Sequence, residues 1–170
     1  TGVVLAAMAA APDARLHEVA LVTKSERQFL VGDWNSTDVP YDSNACVHQL
    51  IEQQVARSPD AIALVCDDKK MSYAELNARA NRLAHLLMKK GVGPDVAVGV
   101  CVERSHALVV AALAVHKAGG AYLPMDPSYP SKRIAYMIED SGVQLVLADS
   151  ESAAALAGVA EVVRLDTSPE

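Results

Sequence analysis

Aromatic side chains are scarce in this chain of 170 residues, which holds one Trp and one Phe and is 4% aromatic in all. That leaves little on which nucleobases could stack. The formal charge of −6 and a pI near 5.3 remove the electrostatic footprint as well, because the fifteen Lys and Arg are scattered along the chain. No nucleic-acid partner is expected. Cysteine is nearly as rare. Cys46, Cys66 and Cys101 are odd in number, far apart and set among apolar neighbours, which argues against a disulfide framework or a zinc site. Buried, reduced thiols are the expectation, and with them a cytoplasmic setting.

Membrane-spanning runs are missing too. The unbroken apolar stretch from Gly2 to Ala11 has no basic segment before it, is too short for a bilayer, and ends at Pro12-Asp13 as a helix would. It is read as neither signal peptide nor anchor, so no membrane partner is expected. A chain that opens with Thr1 in mid-helix reads as cut from a longer polypeptide.

Local chemistry is equally thin. Gly91-Val92-Gly93 precedes a strand and is followed by Pro94, which spoils the turn a dinucleotide fingerprint needs. Gly119-Gly120 has no Lys-Ser or Lys-Thr after it. His17, His48, His85, His106 and His116 show no metal-binding spacing, and none stands near a Ser or Cys with nucleophile context. Asp126 follows a strand end, where open α/β sheets place ligands, yet Asp before Pro is first of all a turn starter. Glu103-Arg104-Ser105 also follows a strand end and reads as a helix cap with a charge pair. No residue is assigned a catalytic, cofactor-binding or metal-binding role.

What the chain does have is core and punctuation. A hydrophobic content of 51% suffices for a buried interior. The segment 12–38 reads as two short amphipathic helices, with Ser25 to Gln28 as a polar start and Leu21, Phe29, Leu30 and Trp34 in need of an apolar partner. Ser36 to Asn44 has no apolar period and reads as a linker. A helix follows from Cys46 to Arg57, with Val47, Leu50, Ile51 and Val55 at helical spacing, and Ser58-Pro59 closes it. Ala61 to Val65 is a strand, and a polar turn over 67–70 makes a hairpin into Met71. Ser72 and Glu75 are spaced as a reciprocal cap for a helix to Lys90, with Leu76, Ala80, Leu83, Ala84 and Leu87 as its buried stripe. Gly91 stops that helix. Then come strand Val96 to Val102, helix Ser105 to Lys117, strand Ala121 to Leu123, helix Pro130 to Asp140, strand Val143 to Leu147, a helix near Glu151 to Leu156, and strand Glu161 to Arg164. The alternation implies parallel pairing with helices on both faces, and the continuous apolar strands require cover on both.

The densest punctuation is the run HKAGGAYLPMDPSYPSKRIAYMIEDS, from His116 to Ser141. Lys117 and Gly119 suit a helix end, one as a cation at the dipole's negative pole and one as a residue free to take positive φ. Pro124, Pro127 and Pro130 forbid continuation of the brief strand, and Pro130 suits the first turn of the next helix. This run resembles the second core motif of adenylation domains in non-ribosomal peptide synthetases, members of the adenylate-forming (AMP-binding) enzymes. MSYAEL, Met71 to Leu76, resembles the first. PDARLHEVALVTKSERQFLVGDWNST, from Pro12 onward, resembles the closing segment of a condensation domain.

The resemblance implies a division into a condensation-domain tail over 1–35, a linker over 36–45 and the N-terminal, truncated part of an adenylation domain over 46–170. It implies a parent enzyme that activates an amino acid with ATP and magnesium to an aminoacyl-adenylate and loads it on a carrier-protein thiol, the phosphopantetheine arm of a downstream domain. The implied partners are the condensation domain, the remaining adenylation domain and the carrier domain. The family's Ser/Thr/Gly-rich phosphate loop, its Asp-containing substrate motif and its C-terminal lysine all lie beyond residue 170 in the family's order. No run such as TSGTTG occurs here, so this segment alone is expected to be inactive. A stand-alone acyl-CoA or aryl-acid ligase and a non-catalytic α/β scaffold are the alternatives.

Overall fold

The computed structural model describes residues 2–166 of the chain, so Thr1 and residues 167–170, assigned above to the outer segments, lie outside the described residues. Contacts divide the chain into two units, residues 1–43 and 44–170.

The first unit holds helix α1, Gly2–Ala10, and helix α2, Lys24–Val31, with a single helical turn after each. Thr23 rather than Ser25 starts α2. Its extended backbone presents the hydroxyl to the Glu26 N–H at 3.1 Å, while the Glu26 carboxylate accepts the Thr23 N–H at 2.7 Å. This is a complete capping box. No described residue of the unit is buried. Phe29 and Trp34 lean together with ring centroids 5.0 Å apart, and Leu21, Leu30 and Trp34 face solvent, so the apolar partner that the sequence requires is not met within the unit.

The second unit opens with α3, Val47–Arg57, and a hairpin of β1, Ile62–Cys66, and β2, Lys69–Ser72. Cys66 lies opposite Lys69, so the turn is Asp67-Asp68 alone, shorter than the 67–70 expected, and Asp67 takes φ 52° to close it. Helix α4, Tyr73–Lys89, buries the whole stripe from Leu76 to Leu87 that its period defines. A four-stranded sheet follows: β3, Ala97–Cys101; β4, Ala121–Pro124; β5, Leu145–Ala148; β6, Glu161–Arg164, ordered β4-β3-β5-β6 and parallel throughout.

Strand parity sorts the core. Val98, Val100, Leu145, Leu147 and Val163 pack on one face with α4 and with α5, His106–Lys117. Cys101, Val146 and Ala148 pack on the other with α6, Ser131–Ser141, and α7, Ser150–Ala155, through Ile134, Ile138 and Leu156. Both faces are covered, which is why β3 and β5 read as continuous apolar runs. The path β3-α5-β4 steps one way across the sheet and β4-α6-β5 steps back over the opposite face, so the crossovers share one hand.

Several local expectations change. Pro130 is the N-cap of α6, with ψ 138°, and its carbonyl accepts the N–H groups of Arg133 and Ile134; Ser131 is the first helical residue. Ser105 precedes α5 but its hydroxyl makes no cap bond, and no ion pair joins Glu103 to Arg104 among the described residues. Of the cysteines only Cys101 is buried; Cys46 is exposed and Cys66 intermediate, and all three are free thiols. Among the described residues no helix is long and apolar enough to cross a membrane.

Candidate binding crevice

Because β3 delivers its chain to the face opposite that used by β4 and β5, the loops at the carboxyl ends of these strands diverge. An open parallel sheet binds ligands in such a gap. Here it is a crevice of about 340 Å³ between the β3–α5 and β4–α6 loops. Val100, Val102, Leu108 and Met125 give it an apolar floor, and Glu103, Arg104, Asp126 and Tyr129 ring it. The Met125 N–H bonds the Val100 carbonyl at 2.9 Å, carrying the ladder into the crevice wall.

The rim is held by short carboxylate clamps. Asp126 accepts the Ser128 N–H at 2.9 Å, the turn role read from the sequence. Hydrogen bonding from Ser128 holds its carboxyl below the usual range, with a further push from the Arg104 charge. Tyr129, three residues on, carries the Arg133 guanidinium 4.0 Å above its ring. Asp149, after β5, accepts the Glu103 N–H at 3.1 Å with one oxygen and the Ser152 N–H at 2.8 Å with the other. Burial raises the Asp149 carboxyl, and bonds from Ser152 and Glu103 more than offset it, leaving the group lowered. Asp149 thus ties the end of β5 to the loop after β3 across the divergence. The sequence gives no sign of this, since Asp149 and Glu103 are 46 residues apart.

Other residues weighed above fall elsewhere. Gly119, at φ 85°, ends α5, and Gly120 is needed for close approach: a Cβ there would stand 2.7 Å from Val92 Cγ1. Neither is at a strand's carboxyl end. His48 and His85 share a cavity of about 220 Å³ with Glu52 and Lys117. His116 packs edge-on against Tyr122 at 5.5 Å, and His17 lies 4.0 Å from Glu18. His106 buries Nε2 without a hydrogen-bond partner. Among the described residues no three His, Cys, Asp or Glu gather to hold a metal ion.

Residues 51–169 match the family model described as AMP-binding enzyme. The chain belongs to the AMP-binding enzyme family. That match bears out the resemblance carried by the two motifs. Chondramide synthase cmdD of Chondromyces crocatus is 51% identical over 147 residues, covering 85% of this chain and 4% of the relative. Gramicidin S synthase 2 of Brevibacillus brevis is 43% identical over 155 residues, covering 91% of this chain and 4% of its own. The chain therefore spans only a few per cent of these curated relatives. Among solved structures, the nonribosomal peptide synthetase FmoA3 bound to alpha-methyl-L-serine-AMP superposes with a TM-score of 0.74 at 33% identity, over 79% of this chain and 15% of that one. The N-terminal subdomain of Klebsiella oxytoca NpsA does so with a TM-score of 0.64 at 25% identity, over 71% and 31%. The α/β plan of this AMP-binding unit, a parallel sheet with helices on both faces, is thus that of synthetase adenylation domains.

Proposed function

We propose that residues 46–170 are the opening part of an adenylation domain in a nonribosomal peptide synthetase, and that the crevice is one wall of its ligand site, completed by residues outside this chain. The observation that carries this reading is the likeness to a synthetase bound to an aminoacyl-AMP, over a unit whose sheet opens a crevice at its carboxyl ends. In the proposed reaction an amino-acid carboxylate oxygen attacks the α-phosphorus of ATP and pyrophosphate leaves. The carrier's phosphopantetheine thiol then attacks the acyl carbon and AMP leaves. Magnesium, which balances phosphate charge in such chemistry, is assigned no ligand here.

In the same reading residues 1–35 are the tail of a condensation domain and 36–45 the linker, a division supported by the change of unit after Ser43. The condensation domain, the remaining adenylation domain and the carrier domain are the partners, and the setting is cytoplasmic. The test compares two polypeptides. The 170-residue chain should show neither micromolar ATP binding by calorimetry nor exchange of pyrophosphate into ATP, and the full-length polypeptide should exchange with an amino acid. Saturable binding by the short chain would reveal a complete nucleotide site within it. Absence of exchange by the full-length protein across all amino acids tried would sink the adenylating reading.

A further inference from the structure

We infer that Arg104 is the residue of this crevice that receives a phosphate anion, either the triphosphate chain of ATP or the pyrophosphate released from it. The inference rests on the adenylating reading above and assigns a positioning contact to a residue within this chain.

Three observations converge on Arg104. Its backbone is fixed from both sides by different elements. The preceding Glu103 N–H is held by Asp149 at 3.1 Å, and the Arg104 carbonyl accepts the Cys66 thiol from β1 at 3.7 Å. Its side chain, by contrast, has no hydrogen bond or ion pair among the described residues. Of the other cations around the crevice and groove, Arg79 pairs with Glu75 and Arg133 lies over the Tyr129 ring, while Lys69 and Lys70 line the groove beside the hairpin and not the crevice. The third observation is place. Arg104 lines both the crevice and an adjoining groove of about 570 Å³ beside the β1–β2 hairpin, and its charge is felt by Asp126 on the crevice rim.

An arginine that only decorates a surface does not need its backbone tied to two other elements. Pinning the root while leaving the head unpaired is how a site holds a donor ready. The cost of ordering the chain is met in the free protein rather than on binding. The guanidinium fork matches phosphate oxygens in pairs. Asp126 is no rival for it. That carboxylate takes the Ser128 N–H and feels the Arg104 charge, but no ion pair joins the two among the described residues, so the fork is left open.

The experiment uses the full-length polypeptide. Phenylglyoxal, which modifies free guanidinium groups, should label Arg104 in the resting protein, as read by peptide mass mapping. ATP or pyrophosphate should protect it, while sodium chloride of equal ionic strength should not. Protection by both anions assigns the contact to the terminal phosphates, and protection by ATP alone assigns it to the intact triphosphate; either supports the inference. In pyrophosphate exchange, Arg104→Gln should raise KM for ATP by about tenfold, as expected for losing a charge-assisted pair, with KM for the amino acid little changed. Arg104→Lys should recover part of that. Labelling indifferent to both anions, with an unchanged KM for ATP in Arg104→Gln, would overturn the inference. If the unaltered protein exchanges no pyrophosphate, it is the adenylating reading that has failed.

Discussion

Ser72 has two duties, and they explain how the longest helix begins. It closes β2 opposite Ile62 and also caps α4, its hydroxyl accepting the Glu75 N–H at 3.2 Å. The spacing of Ser72 and Glu75 promised a reciprocal box, but only half of it forms. The Glu75 carboxylate turns to Arg79, one helical turn on, at 2.7 Å. Sequence spacing reports which partners are in reach and not which one wins, and a guanidinium outcompetes a neutral N–H for a carboxylate. The two substitutions should therefore differ. Ser72→Ala should cost about 1 kcal/mol, the usual value for a lost cap. Glu75→Ala forfeits mainly an exposed i,i+4 pair, about 0.3 to 0.5 kcal/mol. Urea midpoints of the two variants decide the matter: equal losses would restore the full box, and no loss from Ser72→Ala would remove the cap altogether. Asp149 teaches the complementary lesson. Its role depends on a contact that only the folded sheet creates, so no local pattern around it was readable.

Elements were legible where their periods were unmixed, and illegible where one element is tied to another. The stripe of α4, the close of α5 at Gly119 and strand β6 are where the sequence places them. The attachment of α3 is not. None of its residues is fully buried: Ile51 packs against the core from the side, and Glu52 pairs with Lys117 of α5. Lys117 suits the dipole at the end of its own helix, and that reading of it is incomplete. Its side chain is only 5% exposed, against 47% for Glu52. The asymmetry sets a prediction. Glu52→Gln strands a buried ammonium and should cost about 1 to 3 kcal/mol, below the range for a fully buried pair because Glu52 is half in water. Adding Lys117→Met removes the stranded charge and should recover much of the loss. A double-mutant cycle in which the two losses simply add would show that the pair does not hold α3.

At the scale of the whole molecule, the second unit covers the two central strands of its sheet. Continuous apolar strands require cover on both faces, and β5 is buried throughout and β3 from Val98 onward. The edges of this sheet are also blunted. Pro124 ends β4, and Glu161 and Arg164 bracket the four residues of β6. The exposed ladder is the hairpin. Among the described residues β1 pairs only with β2, and it turns Ile62 and Val65 outward, 52% and 64% exposed. A two-stranded ribbon with an apolar outer face is a template for pairing with another chain. Residues 44–170 alone should therefore melt cooperatively, because the core is closed, and should associate reversibly as concentration rises, because the hairpin is not. Val65→Lys places a charge on that face without touching the core. It should restore a monomeric elution profile at concentrations where the unaltered polypeptide elutes as larger species, and it should leave the melting temperature in place. A broad, uncooperative melt would show that the cover is incomplete after all. Association undiminished by Val65→Lys would move the sticking surface away from β1.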